Sequence, residues 1–423
     1  MKRYKKGKDN LMNKNWSDSM KNNTLKIMAL SFVPFIMVLG NSMLIPVFTN
    51  IKRELAINQY EVSLIISYFS FPAALLIPFL GLLSDRIGRK KVLVPSLIVY
   101  GLGGVLSGIS SILYKDPYEY ILIGRVIQGF GAAGTSPIAM ALVSDMFSSE
   151  NRSKALGIIE ASNGIGKIVS PILGSIIALI AWYMIFFSYS ILTIPVALCI
   201  WFLIEEDPKI AERKDLKKYF QEIIMITKNK RMSIFLCFVT GFIALFILYG
   251  LLANLSDILG KEQESHFLGR GFVVALPLLS MAIASYWFGT YMKKRGNTYK
   301  IFIIVSLMTC SLAASCIPYL EEYIHRLFFL EVIATSIGII LSVLNTFVTS
   351  CIPKGKRGVI TALYNSFRFL GISFGPIFFN EFHKGTTKIF FLPLMGIMIS
   401  ILFIQYVDDR KMLEYFGMKK DMH

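Results

Sequence analysis

The sequence predicts an all-α integral membrane protein with twelve transmembrane helices in two pseudo-symmetric six-helix bundles. Of its 423 residues, 54% are hydrophobic and only 17% are charged, whereas a soluble protein of this length carries about 25% charged residues. Apolar runs of about 20 residues, the length that crosses a bilayer, recur along the chain. The net charge of +17 comes from basic residues in the connections between these runs, so it indicates membrane topology and not nucleic-acid binding.

The apolar runs give the spans in order. A run over 168–204 is too long for one helix, and Ala181-Trp182-Tyr183 divides it at a turn with interfacial aromatic residues. Extending two runs past single charges completes the set at twelve. The undivided runs are 27–51, 62–84, 92–114, 126–144, 232–256, 271–292, 301–320, 332–353 and 389–407, and the extended ones are 154–180 and 358–382.

The distribution of Lys and Arg predicts the orientation and the domain plan. With an even number of spans both termini lie on one side, and that side receives 33 of the 44 Lys and Arg residues. Because basic residues stay on the cytoplasmic side, both termini are predicted to be cytoplasmic, in a multi-pass protein of a bacterial plasma membrane. The predicted units are a basic tail (1–24), an N-terminal bundle (25–204), a cytoplasmic linker loop (205–231), a C-terminal bundle (232–407) and a second tail (408–423).

An internal repeat relates the two bundles. Several Gly, Pro and Arg positions recur after a shift of 205 or 208 residues. Two halves related by duplication, with a binding site at their interface, are a recurring plan of membrane transporters. The recurring pairs are Gly81 with Gly289, Arg152 with Arg357, Gly166 with Gly371, and Pro171 with Pro376.

Two motifs in the first half resemble a known family. The loop GLLSDRIGRKK (81–91) is similar to the signature loop of the major facilitator superfamily. The segment RVIQGFGAA (125–133) resembles the family's fourth-helix motif. The same segment contains GxGxxG, but it lies within a continuous apolar run, where small residues serve helix packing and not dinucleotide binding. The resemblance implies a transporter and not an enzyme, with no cofactor or metal site.

A third motif, in span five, resembles the antiporter motif of the twelve-helix drug:proton antiporters. The matching residues are Gly166, Ser170, Pro171 and Gly174. Serine stands at two positions where the motif has glycine, and this departure weakens the argument for export. The resemblance still implies an efflux protein of the multidrug-resistance type that exchanges its substrate for protons.

The signature loop carries the predicted gate. The resemblance implies a charge cluster of Asp85, Arg89 and Asp145, in which the carboxylate of Asp85 also meets the start of helix eleven. Such a cluster, broken and remade, would bias the outward-facing against the inward-facing state. A loop that only fixes topology would explain the basic residues but not the acid or the glycines. The complete gating set is Gly81, Asp85, Arg86, Gly88, Arg89 and Asp145.

Charged residues within the spans suggest the proton and substrate path. Glu160 and Lys167 are seven residues apart and share a helix face, about 10 Å apart along the axis. An intramembrane charge is costly unless it is paired or faces a cavity. Arg125 could instead extend to the outer interface, and Lys167 could be part of an ion pair that only stabilises the bundle. The candidates are Asn41, Arg125, Glu160, Lys167 and Arg368.

Three functions follow from these observations. The favoured one is proton-coupled efflux of a small amphiphilic drug or metabolite by a monomer, with protons and membrane lipid as the other partners. The second is proton-coupled uptake, or facilitated transport, of an organic anion or sugar, which Lys167 and Arg368 keep open. The third, a membrane sensor without transport, would usually need a soluble output domain, and no loop is long enough for one.

Overall fold

A computed structural model describes residues 24–147, 149–206, 216–261, 267–292, 299–320, 322–350, 357–380 and 386–407. Within these ranges the chain forms twelve long helices. In chain order they are α1 (Thr24–Glu54), α2 (Gln59–Ile87), α3 (Arg89–Leu113), α4 (Tyr118–Met146), α5 (Ser149–Ala178), α6 (Met184–Leu203), α7 (Leu216–Lys261), α8 (Phe267–Met292), α9 (Tyr299–Cys316), α10 (Tyr323–Ser350), α11 (Arg357–Asn380) and α12 (Thr386–Tyr406).

The helices confirm the predicted all-α membrane fold. Among the described residues, eight are long and apolar enough to cross a membrane, namely α1, α2, α3, α4, α6, α7, α8 and α10. The described apolar parts of α9 and α12 are shorter. The remaining two, α5 and α11, carry Lys167 and Arg368 near their middles. In both helices these charged side chains face the interior of the bundle, where they line a cavity.

Two helices begin earlier than the apolar runs predict. The run starting at Val126 corresponds to α4, which begins at Tyr118, and the run starting at Val332 corresponds to α10, which begins at Tyr323. In each case the predicted apolar run begins directly after a charged residue, Arg125 or Glu331, whereas the helix includes that residue. The structure gives both charges hydrogen-bond partners within the bundle: Arg125 donates to backbone carbonyls of two other helices, α1 and α2, and Glu331 accepts a bond from Ser280. A charge with such partners need not end a span.

The connection between the two bundles is shorter than predicted. Helix α7 begins at Leu216, so the second part of the predicted 205–231 linker is helical. Residues 207–215 and the two predicted tails, 1–23 and 408–423, lie outside the described part of the chain.

Two helices of the first bundle are interrupted. In α1 the regular helix ends at residue 42 and a 3-10 turn, Ile45–Val47, contains Pro46. In α4 the break falls at residues 134–135, and the helix resumes at Ser136 with Pro137 in its first turn. Proline has no backbone N–H and is tolerated in the first turn of a helix. Interrupted helices of this kind are found where transporter helices line a site.

The two bundles meet through pairs of helices. Helix α2 packs on α11, and α5 packs on α8, so each half contributes one member to each pair. Ser67 of α2 donates a hydrogen bond to the carbonyl of Ser373 on α11 (2.6 Å). Further along the same two helices, Ser366 donates to the carbonyl of Ala74. Small residues and interhelical hydrogen bonds are the usual contacts between membrane helices.

The two ends of the bundle are identified by the helix-to-helix connections that lie there. The basic face is the end predicted to carry most of the Lys and Arg residues, and it holds the connections at Gly88 and at 147–148. The opposite face holds the connections at 55–58, 114–117 and 179–183. On the opposite face α1 and α7 are joined by an ion pair, Lys52 Nζ to Asp257 Oδ1 (2.5 Å). Beside it, the Thr49 hydroxyl donates to the Ser256 carbonyl (3.3 Å) and the Ser256 hydroxyl donates to Ile45. The halves are therefore held together at this face.

Candidate functional site

A cavity lies between the two halves and is lined by both. The first half contributes residues of α1, α4 and α5, and the second half contributes residues of α7, α8, α10 and α11. Both interruptions described above reach it, through Asn41 beside the break in α1 and through Ser136 and Pro137 in α4. The charged and polar lining residues are Asn41, Ser136, Glu160, Asn163, Lys167, Tyr249, Asn345, Thr361, Asn365 and Arg368.

Two helices line this cavity at equivalent positions of the repeat, although their charged residues fall at different ones. On α5 the lining residues Glu160, Asn163 and Lys167 are spaced by three and four, so they share one helix face. On α11 the lining residues Asn365, Arg368 and Ile372 repeat that spacing after the 205-residue shift found in the sequence. The repeat therefore places matching faces of the two helices on one cavity.

The two cations in the cavity have few partners. Among the described residues Lys167 makes no hydrogen bond or ion pair, although the charges of Arg368 and Glu160 act on it. The Arg368 guanidinium donates to Asn365 Oδ1 (3.3 Å) and lies 5.5 Å from the centre of the Tyr364 ring, while its Nε is buried without a partner. Both side chains thus present unused donors to the cavity.

The cavity opens toward the basic face. Along α5, Glu160 lies nearest that face and is exposed, Lys167 is partly exposed, and Ser170 is fully buried. The volume of the cavity is about 140 Å³. Sites for drug-sized ligands usually occupy about 300–1,000 Å³. A substrate of that size would therefore need the halves to move apart.

Arg125 lies behind this cavity, within the first half. Its side chain is fully buried. It donates to the carbonyls of Ile65 (2.9 Å) and Gly40 (2.8 Å), to Asn41 Oδ1 (2.9 Å) and to Gln128 Oε1 (2.7 Å), and its guanidinium stacks 4.4 Å from the Phe69 ring. It faces the bundle interior and does not extend to the outer interface. Asn41 connects it to the cavity.

Three of the predicted gating residues, Asp85, Arg89 and Asp145, come together at the basic face. Arg89 pairs with Asp85 one turn earlier and with Asp145 of α4 (3.1 Å), and it also donates to the Ser84 hydroxyl (3.0 Å). Gly88 joins α2 directly to α3 with φ of 107°, a conformation that side-chain-bearing residues rarely adopt. The predicted contact of Asp85 with the start of α11 adjoins residues 351–356, which lie outside the described ranges.

Glu206 is a member of this region that sequence reasoning missed. It follows α6, and its carboxylate accepts from the backbone N–H groups of Arg89 (2.5 Å) and Lys90 (2.9 Å). An acid at the first N–H groups of a helix is favourable because those groups have no partner within the helix. Lys90 reaches back to the carbonyl of Ile204 (2.6 Å). The 81–91 loop is thus fixed to the end of α6.

The residues of the antiporter motif pack α5 against its neighbours. A side chain at Gly166 would meet Phe35 of α1, and one at Gly174 would meet the backbone of Met43. Ser170 and Ser175, which replace two motif glycines, are buried, and neither hydroxyl has a hydrogen-bond partner among the described residues. The motif therefore forms a close helix contact.

The fourth-helix glycines also serve packing. A side chain at Gly129 would meet the backbone of Phe69 on α2, and one at Gly131 would meet the backbone of Tyr100 on α3. This agrees with the sequence argument that the GxGxxG string is not a dinucleotide site. Among the described residues, no group of three His, Cys, Asp or Glu side chains is placed to hold a metal ion.

Comparison with known proteins agrees with this architecture. Two proteins of Bacillus subtilis (strain 168) match almost the whole chain. The bacillibactin exporter is 33% identical over 391 residues, which cover 92% of this chain and 97% of that protein. Multidrug resistance protein 2 is 24% identical over 399 residues, which cover 91% and 96%.

Solved structures share the fold at low sequence identity. A D-xylose-proton symporter superposes with a TM-score of 0.73 at 13% identity, over 92% of this chain and 99% of that one. A bacterial homologue of the human lysosomal transporter Spinster gives 0.67 at 16%, over 93% and 94%. The family model of the Major Facilitator Superfamily matches residues 30–376. The chain therefore belongs to the Major Facilitator Superfamily and is a membrane transporter, not an enzyme.

Proposed function

We propose that this protein is a proton-coupled exporter that moves a small amphiphilic drug or metabolite out of the cell by alternating access. The observation that carries the proposal is the cavity between the halves, with charged groups from both and an opening toward one face. Alternating access needs a site that both halves share, because a relative movement of the halves can then expose it to either side in turn.

Two further observations favour export over uptake. Two relatives that match nearly the full chain are an exporter and a multidrug resistance protein. Helix α5 also carries the antiporter-type motif, whose glycines contact α1. With 33% identity over most of both chains, the bacillibactin exporter makes bacillibactin a reasonable compound to test.

The proposed cycle begins with the cavity open to the cytoplasm. If the basic face is cytoplasmic, as the distribution of Lys and Arg predicts, the structure corresponds to an inward-facing state. Substrate would enter between the halves, and the Lys52–Asp257 pair and its neighbouring hydrogen bonds would then break as the opposite face opens. The Asp85–Arg89–Asp145 cluster would rearrange at the basic face, so the two regions would act as alternating latches.

Glu160 is the residue proposed to carry the proton. Among the described residues that line the cavity, it is the one carboxylate. A carboxylate that is exposed in one state and enclosed in the next changes its affinity for a proton, because enclosure disfavours the charged form. Such a group could load and release a proton as the cavity opens to each side.

Uptake of an organic anion or a sugar remains the second candidate. It is favoured by Lys167 and Arg368, which line the cavity without a carboxylate partner among the described residues. The direction of proton-driven flux distinguishes uptake from export.

The test is a flux assay in inverted membrane vesicles that contain the protein. The panel should hold lipophilic cations, neutral amphiphiles, aromatic carboxylates, sugars, phospholipids and bacillibactin. Export predicts accumulation inside the vesicles when the membrane is energised, and loss of accumulation when nigericin removes the pH gradient. Proton-driven release of a preloaded compound would favour uptake. No movement of any compound, in vesicles that contain folded protein, would contradict the proposal.

The orientation has its own test. Single cysteines at Asn10, Lys217 and Asp421, in a variant cleared of native cysteines, should resist an impermeant thiol reagent in intact cells. They should react once the membrane is opened, because all three are predicted to be cytoplasmic. Positions 10 and 421 lie outside the described residues, and Lys217 lies in the first turn of α7. Labelling at position 217 from outside would reverse the topology and, with it, the proposed inward-facing state.

A further inference from the structure

The charge balance of the central cavity is unusual for a site within a membrane. Two cations line it, Lys167 from the first half and Arg368 from the second, and Glu160 is the acid that lines it with them. Glu160 lies seven residues before Lys167, about 10 Å along the helix axis. No ion pair joins any of the three among the described residues.

Each cation has donors that the protein does not use. Lys167 has no hydrogen-bond partner among the described residues, and Arg368 reaches Asn365 at 3.3 Å while its buried Nε has none. A charged group in such a place is costly unless a partner or water compensates it. Because Lys167 and Arg368 are both positive, their mutual repulsion raises the energetic cost of keeping them there. A ligand with a negative charge would supply the missing partner.

We infer that the substrate is an organic anion whose acidic group is bound by Lys167 and Arg368 together, so that it bridges the two halves. The transport of this anion rests on the proposed function, whereas its binding rests on the cavity alone. The rest of the lining suits an amphiphile: Asn163 and Asn345 offer hydrogen bonds, and Leu245 and Phe369 offer apolar contact. A lipophilic cation would meet two positive charges at this site and is disfavoured.

The bridging position links binding to movement. In the empty cavity, Lys167 and Arg368 repel each other across the interface between the halves. An anion between them reverses the sign of that interaction, so the halves approach each other more readily when substrate is bound. Because the two cations belong to different halves, a single acidic group can favour closure without any loop acting as a lid.

The experiment compares two fluorescent probes of nearly the same shape on purified full-length protein in detergent. Naphthalene-2-carboxylate is anionic, and naphthalene-2-carboxamide is neutral. The wild type should bind the carboxylate at least tenfold more tightly than the amide. Lys167→Met and Arg368→Met should each reduce that preference to less than twofold, chiefly by weakening binding of the carboxylate. Lys167→Arg and Arg368→Lys, which retain the charge, should keep most of it.

The double variant Lys167→Met/Arg368→Met separates one shared ligand from two independent effects. If one acidic group contacts both cations, the fold loss of carboxylate affinity in the double variant should be much smaller than the product of the fold losses in the two single variants. All variants must elute as monodisperse protein, and Lys167→Arg provides a second route if Lys167→Met does not fold.

Three results would overturn the inference: equal binding of amide and carboxylate to the wild type, absence of carboxylate binding at millimolar concentration, or a preference that survives in both methionine variants. The outcome is separate from that of the export proposal. Loss of vesicle transport for every compound, with the carboxylate preference intact, would refute export and leave the anion site standing.

Discussion

Two regions of this protein accommodate positive charges within membrane helices in different ways. One is Arg125 inside the first half, and the other is Lys167 with Arg368 in the cavity. Arg125 is fully buried, and its donors reach two carbonyls and two side-chain amides between 2.7 and 2.9 Å. Lys167 and Arg368 lie in the cavity with unused donors. All three are cations within helices, yet only the first is fully satisfied by the protein itself.

The difference separates a structural role from a binding role. A buried cation whose donors are all used holds its neighbours in place, and removing it leaves several acceptors without a partner. A cation with unused donors beside a cavity adds nothing comparable to the fold and is available for a ligand. We therefore expect Arg125 to fix the position of Asn41, which lines the cavity, while Lys167 and Arg368 contact the substrate.

The largest expected effect concerns Glu160, the acid of the unsatisfied region. Glu160→Gln keeps the size of the side chain and removes its ability to exchange a proton. We expect proton-coupled flux to be abolished in energised vesicles, while binding of a transported compound remains measurable. Glu160→Asp, which retains the carboxyl group, should retain part of the coupled flux.

Uphill transport by folded Glu160→Gln protein would show that another group carries the proton. Asp145, the acid at the end of α4, would be the next candidate because it already pairs with Arg89 at the basic face.

The next largest effect compares the two regions directly. Arg125→Met should lower the free energy of unfolding by about 3 kcal/mol, because it leaves several buried acceptors without donors. Lys167→Met also removes a charge within a helix but breaks no hydrogen bond among the described residues, so the free energy of unfolding should not fall. Thermal midpoints of both variants in the same detergent measure the contrast.

Arg125→Lys serves as the control for charge. Lysine keeps the positive charge but lacks the planar arrangement of donors, so it should recover only part of the loss. Equal destabilisation by Arg125→Met and Lys167→Met would remove the distinction between a satisfied and an unsatisfied cation.

The smallest of the three effects is expected in the gating cluster. In burial and pairing of its charges this cluster is intermediate between the two regions, because the charges of Arg89, Asp85 and Asp145 are paired but partly exposed. Asp85→Asn should leave membrane insertion nearly normal and reduce transport about tenfold, which corresponds to about 1.4 kcal/mol in the rate-limiting step. Lys91→Gln removes a charge from the same loop at an exposed position and should have little effect. Unchanged flux in Asp85→Asn would reduce the loop to a topology signal.

The sequence predicted the helices better than it predicted their partners. Apolar length identified most of the twelve helices, because the bilayer imposes it on every span, but α5 and α11 were found only after their runs were extended past single charges. It failed at the starts of α4 and α10, where Arg125 and Glu331 were counted against the span. Their hydrogen-bond partners lie on other helices, at Ile65, Gly40 and Ser280. Run length along one helix contains no information about such partners.

The site was predictable where helix spacing or the family resemblance applied. Four of the five predicted path residues line the cavity, and Arg125 lies one hydrogen bond behind it. Asn163 and Asn365 were missed, although the 205-residue shift and the spacing from Glu160 could have identified both. Glu206 and the Lys52–Asp257 pair gave no such signal, because each contact joins helices far apart in the sequence.

The contact between α5 and α8 changes how the serine substitutions in the antiporter motif should be understood. Ser175 occupies a position where the motif has glycine, and Gly271 of α8 lies directly against it, where a side chain would meet the Ser175 hydroxyl and the Pro171 carbonyl. The side chain of Ser175 in one half therefore occupies the space left by the missing side chain of Gly271 in the other half. Residues 175 and 271 pack as one unit, and replacing Ser175 with the motif glycine would by itself open a gap between the halves.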